Sequence, residues 1–193
     1  MVAGTGYEKS SDEGPLNGMN AVVLIDDGVE DLEFWVTVMR LREAGARVRA
    51  VGTSHGPFRG KHGLEANADT LVADIDPTSV DGLVIPGGWA PDKLRRSSAI
   101  VGLVAAVHRA GRPIGIICHG GLVAISAGIV AAGHPATGSL GIKDDLVNAG
   151  AVWVDEPAFR DGSLVWGRVV DDIPAFEREL VALFAEARRA TTA

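Results

Sequence analysis

A single cysteine stands in the 193 residues of the chain, so no disulfide closes within it and no Cys-rich zinc site is available. That one thiol serves either packing or chemistry. Long hydrophobic runs are missing too: mean hydropathy is slightly positive, yet no apolar stretch reaches the roughly eighteen residues of a membrane span. Met1 to Gly18 lack the basic-then-apolar layout of a signal peptide, and the expectation is a soluble, cytoplasmic protein away from membranes. Lys and Arg total 18 against 25 Asp and Glu, a formal charge of −7, with no basic block and no interleaved aromatics. That balance disfavours nucleic-acid partners. No G-x-G-x-x-G or Walker pattern is present, and His55, His108 and His134 have no ligand spacing and no Cys partner. No metal and no cofactor is expected.

What is present is 47% hydrophobic residues, enough for one sizeable core. The head, "MVAGTGYEKSSDEGPLNG", offers little to bury and reads as a flexible N-terminal tail over residues 1–18, leaving 19–193 as a single domain. From Met19 onward, short β-branched runs alternate with helical patterns, without repeats or low-complexity linkers. This predicts an α/β fold, a mainly parallel sheet with helices on both faces. The first unit places a strand over Ala21 to Ile25, a helix with Leu32, Val36, Met39 and Leu41 on its apolar face, a stop at Gly45 and a strand over Val48 to Val51. The "GKHG" region suits a hairpin or an irregular excursion, "DGLVIPGG" a third strand, and Ile100 to His108 a helix. Asp144 and Asp145 read as a solvated helix turn. Asp161-Gly162 reads as a hairpin turn between strands carrying Trp153 and Trp166, which pack, whereas Trp89 is placed to line a pocket.

The fourth strand, in "RPIGIICHGG", runs straight into Cys118. A nucleophile at a strand's end, followed by small residues and a helix, has the layout of a nucleophile elbow, with Gly120 and Gly121 letting the helix start close by. Ligand sites of parallel sheets lie at the carboxyl ends of the strands, so fold and motif indicate the same edge. A helix N-terminus there favours thiolate over thiol, and Cys118 is expected to ionise. His119 follows directly; a base in this position needs the sharp turn to reach the thiol and an acid to orient its imidazole.

These residues resemble the ThiJ/PfpI superfamily, particularly its PfpI-like intracellular-protease branch with the class I glutamine amidotransferase-like fold. The resemblance runs from about Asn20 to Leu183 in the blocks "DDGVEDLEF", "GKHG", "LVIPGGWAPDKLR", "ICHGGLVAISAG" and "GIKDDLVNAGAVWVD". It implies a flavodoxin-like three-layer sandwich and a homodimer, or a hexamer built from dimers, with the site at a subunit interface. It places the nucleophile on Cys118 and the histidine on His119. The triad acid, from a neighbouring subunit, falls on Asp92, where the family archetype has Glu and the reach is about 1.5 Å longer. Gly88 and His119 supply the backbone N–H groups of an oxyanion hole, and Glu33 is the glutamate set against the thiol. A carboxyl beside a thiolate repels it unless one proton is kept, so the two groups titrate as a pair, and a protonated Glu33 would hold Cys118 ionised. Glu30 and Asp31 are equally well read as acids of a helix's first turn.

The resemblance supports three functions. In the first, a cysteine hydrolase of peptides or amides, Cys118 attacks a carbonyl, His119 moves the proton and Asp92 orients the imidazole. In the second, a glutathione-independent glyoxalase or deglycase, the thiolate adds to a 2-oxoaldehyde while Glu33 and His119 shuttle protons. The third is a non-catalytic stress-response sensor or chaperone whose Cys118 is oxidised by peroxide.

Overall fold

A computed structural model of the chain describes residues 14–192. In chain order the strands are β1 (Asn20–Leu24), β2 (Arg47–Gly52), β3 (Phe58–Arg59), β4 (Glu65–Ala66), β5 (Thr70–Leu71), β6 (Gly82–Ile85), β7 (Ile114–Ile117), β8 (Pro135–Ala136), β9 (Val152–Trp153), β10 (Ala158–Asp161) and β11 (Leu164–Gly167). The helices are α1 (Asp31–Glu43), α2 (Ala90–Leu94), α3 (Ser98–Arg109), α4 (Gly121–Ser126), α5 (Lys143–Asn148) and α6 (Ile173–Thr192). Seven strands form the main sheet in the order β10-β11-β7-β6-β1-β2-β5. Every pairing in it is parallel except the β10–β11 hairpin. The central strands β6 and β7 are buried along their whole length, which is why they read as continuous apolar runs rather than alternating ones. The fold is the expected flavodoxin-like α/β sandwich.

One face of the sheet is shaped by small residues. A Cβ added at Gly82 would lie 2.3 Å from the Phe184 ring, and one at Gly115 would lie 2.6 Å from Leu180. The glycines of β6 and β7 thus open the trough that the apolar side of α6 fills, with α1 beside it. Helices α3, α4 and α5 form a second contacting group, reaching the sheet through β6 and β7.

Two expectations need correction. The buried side of α1 is Phe34, Thr37, Val38 and Leu41 together with Asp31 and Glu33, whereas Leu32 and Met39 are 48% and 57% exposed. The helix turns its two acids inward at the N-terminal end because that end abuts the site, and an apolar tally of the sequence rejects them. The expected tail also enters the fold: Leu16 is fully buried, and its N–H donates to Ala44 O at 2.9 Å, capping the end of α1. One leucine in a polar segment suffices to anchor it, and the core runs from Leu16 to Ala185. Residues 1–13 of the tail lie outside the described residues. The "GKHG" region is a small antiparallel hairpin of β3 and β4.

A buried carboxyl joins α1 to α6. Glu177 accepts a hydrogen bond from the Thr37 hydroxyl, its other oxygen has no hydrogen-bond partner among the described residues, and burial pushes its pKa up to about 7. The unfolded chain ionises this group near 4.5, so the folded protein binds more protons between those values and loses stability as pH rises through them. The loss amounts to about 3 kcal/mol at most for a shift of this size. Glu177→Gln is expected to shrink the fall in melting temperature between pH 5 and pH 8, measured by circular dichroism; an unchanged fall would contradict this account.

Candidate active site

The site forms where β7 ends. Cys118 has φ +58°, and it is the one non-glycine residue with positive φ among the described residues. This left-handed turn is the strained corner of a nucleophile elbow. It is held by close packing below: a Cβ on Gly120 would sit 2.3 Å from Ile85 O. Strand β6 contributes Gly87 and Gly88 just beyond its own end, and α1 begins at the neighbouring end of β1, so all the candidate groups meet at the carboxyl edge of the sheet.

Glu33 is fully buried. Its Oε2 accepts from Gly87 N at 2.7 Å, and its carboxyl meets the Cys118 thiol. Gly87 is glycine for lack of room: an added Cβ would lie 2.6 Å from Cys118 Cβ and 2.7 Å from Glu33 Oε2. Burial, with the nearby Glu30 charge adding to it, raises Glu33 to about 7 against the pull of the Gly87 N–H. The same burial, with the Glu33 charge, pushes the Cys118 thiol up to about 12, opposed by the Gly88 and His119 N–H groups against the sulfur. The expected ready ionisation of Cys118 therefore needs correcting. Desolvation outweighs the helix end, and a thiolate forms at neutral pH only by passing the pair's proton to Glu33.

His119 Nδ1 lies 3.3 Å from Cys118 Sγ. Burial and then the Lys61 charge hold its imidazole below the ordinary range, so it is neutral at pH 7. The backbone N–H groups of Gly88 and His119, the residues named for an oxyanion hole, are directed at the Cys118 sulfur. Asp92 is different. It stands in the first turn of α2, exposed, and its carboxylate pairs with Arg96 one turn on. Arg96, four residues on in the turn that follows α2, satisfies Asp92 locally, and the chain by itself does not bring it to His119.

The cavity above the thiol measures about 280 Å³ and is lined by Glu30, Lys61, Gly88, Trp89, Cys118, His119, Ser139 and the Val169–Asp171 segment. Several of these were not singled out from the sequence. Glu30, read from the sequence as an acid of the helix N-terminus, caps α1, accepting from Glu33 N at 2.9 Å, and approaches His62 Nε2 at 3.4 Å. Asp31 accepts from His62 N at 2.7 Å and Leu64 N at 2.8 Å, which fixes the loop that carries Lys61. The Val169–Asp171 wall had no local signal, since it arrives through the parallel pairing of β11 with β7. Trp89 lines the cavity as expected, and Trp166 is buried in the core. Among the described residues no cluster of three His, Cys, Asp or Glu side chains is placed to hold a metal, and no helix is long and apolar enough to cross a membrane.

Comparison with known proteins agrees with this geometry. The model of the DJ-1/PfpI family matches residues 19–183. Deglycase TK1284 of Thermococcus kodakarensis is 38% identical over 165 residues, covering 86% of this chain and 99% of its own. Deglycase PfpI of Pyrococcus furiosus is 35% identical over the same coverage. Among solved structures, a two-domain Anabaena variabilis protein with DJ-1/ThiJ/PfpI-like and ferritin-like domains superposes with a TM-score of 0.82 at 34% identity, over 85% of this chain and 47% of that one. An elbow cysteine, a histidine on its thiol and a buried glutamate behind it, on a flavodoxin-like sheet matched along its length, place this chain in the DJ-1/PfpI family.

Proposed function

We propose that the protein is a thiol enzyme of the deglycase and glyoxalase kind, adding Cys118 to the carbonyl of 2-oxoaldehydes or of their amine adducts and releasing a 2-hydroxy acid. The observation that carries this reading is the buried Glu33–Cys118 pair, a thiol and a carboxyl in contact with Glu33 poised near 7. Such a carboxyl both gives and takes a proton at neutral pH. The relatives named deglycases support the same choice.

The steps balance without an outside oxidant. The sulfur adds to the aldehyde carbon, the C–S bond forms, and the carbonyl electron pair becomes an alkoxide beside the Gly88 and His119 N–H groups. The alkoxide is protonated to a hemithioacetal. Glu33 as carboxylate then takes the proton from that carbon, an enediol forms, and reprotonation at the neighbouring carbon leaves a thioester of the hydroxy acid. Water cleaves the thioester and restores the thiol. From an amine adduct the same route starts with the thiol replacing the amine, which leaves carrying the thiol's proton.

Hydrolysis of peptides by a Cys–His–acid triad ranks second, because within one chain Asp92 is engaged by Arg96 rather than His119. The test is product identity: methylglyoxal without glutathione is expected to yield lactate stoichiometrically, read by enzymatic lactate assay. Methylglyoxal loss no faster than in buffer would overturn the proposal.

A further inference from the structure

Resting on that reaction, the surroundings of the thiol specify the kind of substrate. The cavity above Cys118 shares Lys61 and Trp89 with a larger adjoining cavity of about 530 Å³, whose wall adds Asp27, Arg59, His62 and Lys93. We propose that Lys61, supported by Arg59, is an anion-receiving subsite beside Cys118, so that the preferred substrates are 2-oxoaldehydes or adducts that carry a carboxylate.

Three observations carry this. First, neither cation is neutralised: among the described residues Lys61 Nζ and the Arg59 guanidinium make no ion pair, and Lys61 Nζ lies 6.0 Å from the centre of the Trp89 ring. The nearby acids are engaged elsewhere. Asp27 accepts from Arg59 N at 2.9 Å and approaches Lys93 Nζ at 3.7 Å, while Glu30 caps α1 and meets His62. Asp171 stands on the catalytic cavity's wall, and Glu30, on the same wall, meets a histidine and no Lys or Arg among the described residues. Lys61 and Arg59 are thus two cations at the mouth of the site whose charged groups have no fixed ion-pair partner, which leaves them able to receive an anion.

Second, the Lys61 charge reaches the reacting groups, since it lowers the proton affinity of both Glu33 and His119. Lys61 also lines the same cavity as Cys118 and His119, so an anion bound to Lys61 lies in the space into which the thiol opens. Third, the loop is built in place. Lys61 N donates to Val29 O at 2.8 Å and Gly60 N to Leu64 O at 2.8 Å, while the buried Asp31 carboxylate holds the N–H groups of His62 and Leu64. A Cβ on Gly60 would overlap that carboxylate at 2.4 Å, so the loop lies flat against α1. The 63%-exposed Trp89 ring offers an apolar plane beside the ammonium, matching a short carbon chain that ends in a charge.

The single cysteine allows a direct test. Iodoacetate and iodoacetamide attack the same thiolate and differ in charge, so their rate ratio at Cys118, read by intact mass, is independent of how much thiolate is present. The wild-type ratio is expected to exceed that of N-acetylcysteine by about tenfold and to fall as salt rises. Lys61→Gln should abolish the excess, Lys61→Arg should keep it, and Arg59→Gln should lower it in part. A wild-type ratio equal to that of N-acetylcysteine, or one unchanged in Lys61→Gln, would overturn the subsite. In turnover, 4,5-dioxopentanoate is expected to exceed its methyl ester in kcat/KM by a similar factor, lost in Lys61→Gln. Consumption of both at equal rates refutes the subsite and leaves the reaction standing. Consumption of neither refutes the reaction, and the alkylation ratio still decides the subsite.

Discussion

Glu33→Gln is expected to lower kcat/KM toward methylglyoxal by about a thousandfold, the middle of the range for removing a positioned acid–base group, and to erase a step near pH 7 from the alkylation profile of Cys118. The reasoning follows the pair's protons. At low pH both groups are protonated and the thiol is inert. The first proton leaves with a midpoint set by Glu33 at about 7, and the singly protonated pair divides between carboxylate–thiol and carboxyl–thiolate forms in a ratio that pH does not change. Reactivity toward iodoacetamide therefore rises through pH 7, levels off at the thiolate share, and rises again only as the second proton leaves far above neutrality. Glutamine removes the first step. Cys118 then titrates alone, below about 12 because the Glu33 charge is gone, yet above the ordinary thiol value of about 8.5 because burial remains. Alkylation rates from pH 5 to 10 on both proteins decide the matter, and a wild-type profile with one midpoint near 8.5 would show that the two groups are not coupled. Cys118→Ala, as the limiting case, is expected to retain no turnover above buffer.

The elbow was legible because its parts lie together in the chain: an apolar strand, Cys118, His119 and two glycines within a few residues. The sheet was legible for the same reason, each strand being a short apolar run with its own stop. Interactions across the chain were less so. The buried face of α1 was misread because Glu33 and Asp31 count as polar in any periodic tally, although both face inward, one to the thiol and one to the Lys61 loop. Raised thiol acidity was inferred from the helix end and from a protonated Glu33, and the sequence carries no measure of the desolvation that opposes both. Asp92 fell on the position the resemblance indicated, but an arginine one helical turn away was in plain view and takes its charge. Leu16 was assigned to the tail since nothing local tells that Ala44, nearly thirty residues on, leaves a place for it.

Gly88→Ala is expected to lower stability by about 3 kcal/mol, from left-handed backbone strain and a close contact that must relax, and to remove turnover. Gly88 has φ +78°, and its added Cβ would lie 2.3 Å from Gly28 O and 2.4 Å from Glu30 N. Both obstacles are backbone, so the relief has to come from moving a chain segment. The segment is the Val29–Gly88 bridge, which holds the Gly88 N–H against the sulfur and the Glu30 cap against α1. A shift there separates the oxyanion donor from Cys118 and loosens Glu33 together. For a chain of this size the stability loss corresponds to a melting temperature lower by about 6 to 12 °C. Gly111→Ala serves as the reference: Gly111 has φ +67°, but nothing lies within 4 Å of an added Cβ, so it carries the backbone strain without the collision. It is expected to cost about 1 kcal/mol and to leave turnover intact, being remote from the cavity at the end of α3. The difference between the two melting temperatures then measures the collision alone. Equal losses would mean that the Gly88 segment yields freely, and that the oxyanion donor is not held by the contact with Gly28 and Glu30.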